Sequence, residues 1–210
     1  MTTARGTVRR SALVRQLESV PPFAAARAEL EQVATPAEAA VELLAEARAR
    51  DDLVGRRVAD LGAGTGRLAI GAALWGAASV GGIETDPAAV GTARDAAARL
   101  GVAIDLRVGD VRDWTEPVDT VLMNPPFGAQ RRAADRPFWA TAFAVADRAV
   151  YAFGLAASRT FIAARAVERG AHVEANRPVR WELPRVFPHH RRARVALAVD
   201  LWVIRTKGSR

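Results

Sequence analysis

The sequence predicts an α/β domain built on a doubly wound, mostly parallel sheet. From Arg56 onward short apolar runs alternate with alanine-rich amphipathic stretches, the pattern of strands joined by crossover helices. A glycine-rich turn follows the first of those runs, and single acids close the first three of them. The chain has 210 residues, 50% hydrophobic and 25% charged, which suits one domain with a sizeable core. It has no cysteine, which excludes disulfides and thiolate metal sites, and its three histidines leave little for a catalytic zinc. No apolar run reaches the roughly 18 residues that would span a bilayer. Met1–Arg10 lacks the apolar stretch of a secretory signal, so a cytoplasmic protein is expected.

Taken in order, residues 1–50 read as a helical N-terminal extension. Leu13, Val14 and Leu17, then Ala24–Leu30 and Glu38–Ala49, carry apolar residues at helical spacing, interrupted at Pro21-Pro22 and Thr35-Pro36. Residues 51–210 hold the α/β unit. Arg57–Leu61, Ser79–Ile83, Ile104–Val108 and Thr120–Met123 read as buried strands, with helices at Gly66–Trp75 and Pro87–Leu100 between them. Helices are expected near Phe138–Ala152 and Ser158–Arg169. Strands are expected at His172–Arg180 and Val195–Ile204, separated by a loop, Pro184–Arg194, dense in Arg, His and Pro.

The charge is concentrated at the ends. Residues 177–210 carry nine basic side chains against Glu182 and Asp200, and residues 1–17 carry four arginines and no acid. What lies between is net acidic. Such a distribution suits an enzyme that meets a polyanion through phosphate contacts.

Two motifs carry the chemistry. In Asp60-Leu61-Gly62-Ala63-Gly64-Thr65-Gly66 the glycines permit a tight turn, and the following helix offers unpaired N–H donors. Asp60 would repel a pyrophosphate but could orient a cationic amino group. Glu84 ends the second strand, where a carboxylate can accept ribose hydroxyls, and Asp110 ends the third, placed to accept from an adenine amino group. Three acids around a glycine turn fit S-adenosylmethionine. The second motif, Asn124-Pro125-Pro126-Phe127, ends the fourth strand. Its prolines remove two N–H donors, so the turn offers carbonyls. Asn124 and the Pro125 carbonyl could accept both N–H bonds of an exocyclic amine, while Phe127 provides a flat face for a base. The five tryptophans, Trp75, Trp114, Trp139, Trp181 and Trp202, are expected in the core or on a partner surface rather than as base platforms, with Trp139 the one to watch because its helix begins beside the Arg loop.

With these residues in view, the chain resembles the class I amino-methyltransferases and, within them, the methyltransferase-like protein 5 family of small-subunit rRNA adenine-N6 methyltransferases. The likeness rests on Leu30-Glu31-Gln32 with Thr35, Asn124–Gly128, Asp135 with Phe138, Ala149-Val150-Tyr151, Leu183-Pro184, His190-Arg191-Arg192 and Val199-Asp200-Leu201. It implies a Rossmann-like, seven-stranded sheet whose last strand is antiparallel, with Gln32 and Thr35 covering the cofactor and Asn124–Phe127 holding the adenine. It also implies an RNA substrate and a small zinc-binding activator protein. Val33 stands where the family usually has Tyr, and Gly128–Arg136 is rich in Arg rather than Lys and Asn. Arg131 and Arg132 after the catalytic turn, with His189, His190, Arg191, Arg192 and Arg194 in the late loop, would grip phosphates on either side of an extruded base. A protein glutamine-N5 methyltransferase, a DNA adenine methyltransferase and a non-catalytic RNA-binding assembly factor remain as alternatives.

Overall fold

Leu13 and Leu17 fall on one face of α1 (Arg10–Glu18), and Val41, Leu43, Leu44 and Ala47 are buried along α2 (Ala37–Ala49). Both helices pack with the helix that follows the glycine turn, where a side chain at Gly71 would collide with Leu44 and Leu17. The computed structural model describes residues 8–27, 29, 31–128, 133–184 and 194–206.

From Arg57 the chain alternates as the sequence predicts: β1 (Arg57–Leu61), α3 (Arg67–Leu74), β2 (Ser79–Glu84), α4 (Pro87–Arg99), β3 (Asp105–Val108) and β4 (Val118–Met123). Then come α5 (Arg136–Val145), β5 (Ala146–Leu155), α6 (Arg159–Glu168), β6 (His172–Val179), β7 (Glu182–Pro184), β8 (Arg194–Ala196) and β9 (Val199–Arg205). Seven strands form one sheet in the order β3-β2-β1-β4-β5-β9-β6, with β9 antiparallel to both neighbours. This is the Rossmann-like arrangement with an antiparallel last strand.

Strand alternation divides the core into two layers. Val58, Tyr151, Phe153, Leu201 and Val203 join α1, α2 and α3 on one face. Ala59, Leu61, Val121, Met123, Trp202 and Ile204 meet Trp139 of α5 and Ile162 of α6 on the other. Asp52, wholly buried after α2, accepts the Tyr151 hydroxyl at 2.6 Å and pairs with Arg148 and Arg205, tying the α2–β1 link to β5 and β9.

Three expected elements differ. The helix near Phe138–Ala152 ends at Val145, and Ala146–Leu155 is a central strand paired with β4 and β9. No turn residue separates the two, so an apolar run buried on both faces reads the same in either state until its neighbours are known. Within 24–30, Ala24 and Ala25 form a turn, and no α-helix forms among the described residues. The strand expected over Val195–Ile204 is broken at Leu197-Ala198. There the Leu197 N–H reaches the Trp181 carbonyl, and β8 pairs with β7 in a separate two-stranded ribbon. Among the described residues no helix is long and apolar enough to cross a membrane.

Candidate active site

The sheet reverses direction of growth at β1, which pairs with β2 on one side and β4 on the other. Crevices at the carboxyl ends of strands beside such a switch are where open α/β sheets bind ligands. Leu61 of β1 is in register with Met123 of β4, so the glycine turn and Asn124 leave the sheet side by side. A cavity of about 500 Å³ opens there, lined by both motifs and by residues of the N-terminal segment.

The first motif is built by close approach. A Cβ at Gly62 would lie 2.7 Å from the Phe138 ring and one at Gly64 would lie 2.9 Å from the Phe23 ring, and both glycines have positive φ. Gly66 does not line the cavity; it seats α3 against α4, where a Cβ would lie 2.8 Å from that of Ala93. Asp60 is 1% exposed. Its Oδ2 accepts the Ala69 N–H at 2.9 Å, while its Oδ1 is buried with no partner. Burial pushes this carboxyl up to about 7 against the pull of the Ala69 N–H, and the charge of Glu84 adds to the rise. Glu84 braces the turn: its carboxylate accepts the Gly64 N–H at 2.9 Å and the Asp86 N–H at 3.0 Å. Asp110 lines the cavity but is already engaged. It caps the short 3-10 turn Val111–Asp113 and is forked by Arg112 at 2.7 and 2.8 Å, which holds its carboxyl down to about 2. The expected acceptance from an adenine amine therefore competes with Arg112.

The second motif is held from the N-terminal segment. The Asn124 side-chain NH₂ donates to the Thr35 hydroxyl at 3.0 Å, leaving Asn124 Oδ1 buried and without a partner. Thr35 in turn is held by Arg67, which donates to its carbonyl at 2.7 Å and to that of Val20 at 3.1 Å. Gln32, expected over the cofactor, lines the cavity. Its amide is spent on structure, donating to Asp86 at 2.8 Å and accepting the Arg27 N–H at 2.8 Å. The Thr35 hydroxyl thus orients the Asn124 amide. Thr35→Val should lower kcat about tenfold, the usual cost of one misaligned hydrogen bond, with cofactor affinity within about threefold of the parent. Thr35→Ser should restore kcat. Steady-state kinetics alongside titration calorimetry would check both; weakened cofactor binding with unchanged kcat would give Thr35 the covering role instead.

Pro125, Pro126 and Phe127 line the same cavity. Phe127 meets Trp181 edge-on with centroids 5.8 Å apart, and Trp181 packs on Phe153 at 4.8 Å. Trp181, not Trp139, is the tryptophan at the site. Trp139 is buried against Phe143 at the back of the sheet. Phe23, Arg67, Phe138 and Trp181 also line the cavity, though the sequence reading gave none of them a site role: Arg67 directly follows the glycine motif, Phe138 enters only through the family likeness, and Trp181 only as an expected core position. Arg131, Arg132, His189, His190, Arg191 and Arg192 lie outside the described residues. Arg194 begins β8, and only its backbone is described.

Two unpartnered buried oxygens on cavity-lining residues, beside a turn too close-packed at Gly62 and Gly64 for a side chain, form a polar cleft suited to a ligand with cationic and N–H-bearing ends. Comparison with known proteins agrees. Residues 21–154 match the model of the methyltransferase small domain. The rRNA N(6)-adenosine-methyltransferase Mettl5 of Drosophila melanogaster is 32% identical over 194 residues, covering 89% of this chain and 91% of that protein. The crystal structure of PH1948 from Pyrococcus horikoshii, provisionally named an RNA methyltransferase, superposes with a TM-score of 0.88 at 38% identity. It covers 98% of this chain and 99% of that one. The fold is shared with the magnesium protoporphyrin IX methyltransferase of Synechocystis PCC 6803, solved with bound S-adenosylmethionine. There the TM-score is 0.66 at 17% identity, over 81% of this chain and 79% of that one. The chain belongs to the methyltransferase small domain family and, within it, to the methyltransferase-like protein 5 group of class I S-adenosylmethionine-dependent methyltransferases.

Proposed function

We propose that this enzyme methylates the exocyclic N6 of an adenosine in RNA, with small-subunit rRNA as the substrate. The observation that carries the reading is the Asn124 Oδ1 atom, a buried acceptor left free by the Thr35 hydroxyl at the edge of the cavity. S-adenosylmethionine, when bound, supplies an electrophilic methyl group. The protein's part is alignment. Asn124 Oδ1 and the Pro125 carbonyl accept the two N–H bonds of the amine, which draws its lone pair out of conjugation and aims it. Neither acceptor is basic enough to remove a proton first, so rate comes from orientation. Phe127, backed by Trp181, offers a ring on which the flipped base stacks.

On the cofactor side, Asp60 would take the ammonium, with Glu84 and Asp110 serving the nucleoside after local rearrangement of their present partners. Residues 1–50 act in this reading as an extension that covers the cofactor site: Phe23, Gln32, Val33 and Thr35 line the cavity. The choice of RNA draws support from the names of the Drosophila and Pyrococcus relatives and from the basic chain ends. Methylated adenosines would be mapped in rRNA from cells with and without this gene. Loss of one N6-methyladenosine from small-subunit rRNA is the expected result. An intact rRNA pattern with a methyl group missing from a protein glutamine would replace this substrate with the alternative one.

A further inference from the structure

The cavity is lined by five acids, Glu29, Glu31, Asp60, Glu84 and Asp110, which disfavour an anion almost everywhere along its wall. Its basic lining side chains, among the described residues, are Arg67 and Arg112, and Arg112 is forked onto Asp110. Arg67 has no carboxylate within ion-pair distance among the described residues. Its two hydrogen bonds go to the neutral carbonyls of Thr35 and Val20, and its Nε is buried without a partner. A guanidinium has five N–H donors, so three remain after those bonds. Burial lowers its pKa, with only the more distant charge of Glu18 opposing. Asp60 begins the glycine turn and binds the first turn of α3 at Ala69; Arg67 opens that same helix. The two do not pair with each other, and each keeps an unpartnered atom. A buried carboxyl and a half-buried cation that line one cavity without pairing are complementary to a zwitterion.

We propose that Arg67 binds the carboxylate of the cofactor's amino-acid end and makes the protein selective for that cofactor over its decarboxylated form. The assignment rests on the cofactor and is independent of which amine is methylated. Because Arg67 also latches the N-terminal segment through Val20 and Thr35, its loss weakens binding of any ligand beneath that segment. Only recognition of the carboxylate changes the ratio between two ligands that differ in it. The test is therefore calorimetric titration of the full chain with S-adenosylmethionine and with decarboxylated S-adenosylmethionine, for the parent protein and for Arg67→Gln.

The parent should bind the carboxylated ligand at least about tenfold more tightly, the range of a charge-assisted hydrogen bond. Arg67→Gln should bind both more weakly and discriminate by less than about threefold. Arg67→Met gives the same reading should the glutamine variant fail to fold. A parent with no preference, or a preference that persists in the variants, overturns the role of Arg67 and leaves the cofactor standing. A parent that binds neither ligand counts against the cofactor itself and takes this assignment with it.

Discussion

Asn124→Ala is expected to cut methyl transfer by about 10²–10³-fold while cofactor affinity stays within about threefold. This is the scale on which removing one preorganised hydrogen-bonding group in a water-excluded site acts. Asn124 Oδ1 has no protein partner, and deleting the side chain costs only the Thr35 hydroxyl its Asn124 donor, so the chain should stay folded. Among the described residues the Asn124 side chain hydrogen-bonds Thr35 and no residue of the glycine turn, which is why binding on the cofactor side should persist. Asn124→Asp keeps an acceptor oxygen, and the Thr35 hydroxyl can turn to donate to it, so activity between the two is expected. Single-turnover rates with calorimetry on the same preparations would decide. Transfer at parental rate in Asn124→Ala would remove the amine from this motif altogether.

The second large effect belongs to Asp60. Burial, reinforced by the charge of Glu84, raises its carboxyl from 3.8 to about 7. Between those values the folded chain holds a proton that the unfolded chain has released. Its stability therefore falls as pH rises through that window, and the full cost is present above about 7. Asp60→Asn removes the cost. The ligand-free variant should be more stable than the parent at pH 8, by on the order of a few kcal/mol, and nearly equal to it near pH 4. The same variant should bind S-adenosylmethionine about 10²-fold more weakly, having lost the buried negative charge proposed to face the ammonium. In the parent, affinity should rise with pH up to about 7 and then level. Thermal unfolding and calorimetry across pH 4–8 read both effects; a parent whose affinity is flat across that range would take the ammonium away from Asp60.

The main elements of the α/β unit were legible because β1 to β4 are short apolar runs bounded by glycine, acid or proline. β5 was not, since Ala146–Leu155 follows a helix without any punctuation and is buried on both faces. The site was legible in the same uneven way. Motif residues Asp60, Gly62, Gly64, Glu84, Asp110 and Asn124–Phe127 sit on adjacent strand ends, so chain order and strand alternation suffice to bring them together. Trp181 comes from beyond β6, and Phe23 from a segment with no periodicity; both reach the cavity only through long-range packing.

Sequence alone therefore determined the sheet's parallel core, the glycine turn and the acceptor motif, because periodicity and turn chemistry act over a few residues. Which oxygen of the site stays free was decided by tertiary structure. The Thr35 hydroxyl orients Asn124 and, among the described residues, Arg67 is left a cation without an acid, across separations of 89 and 32 residues for the hydrogen bonds involved, whereas the Arg112–Asp110 fork is local, two residues apart. Hydrogen-bond partners are chosen by proximity in the folded chain, and a polar side chain buried with one donor or acceptor unmet is visible only once every neighbour is in place.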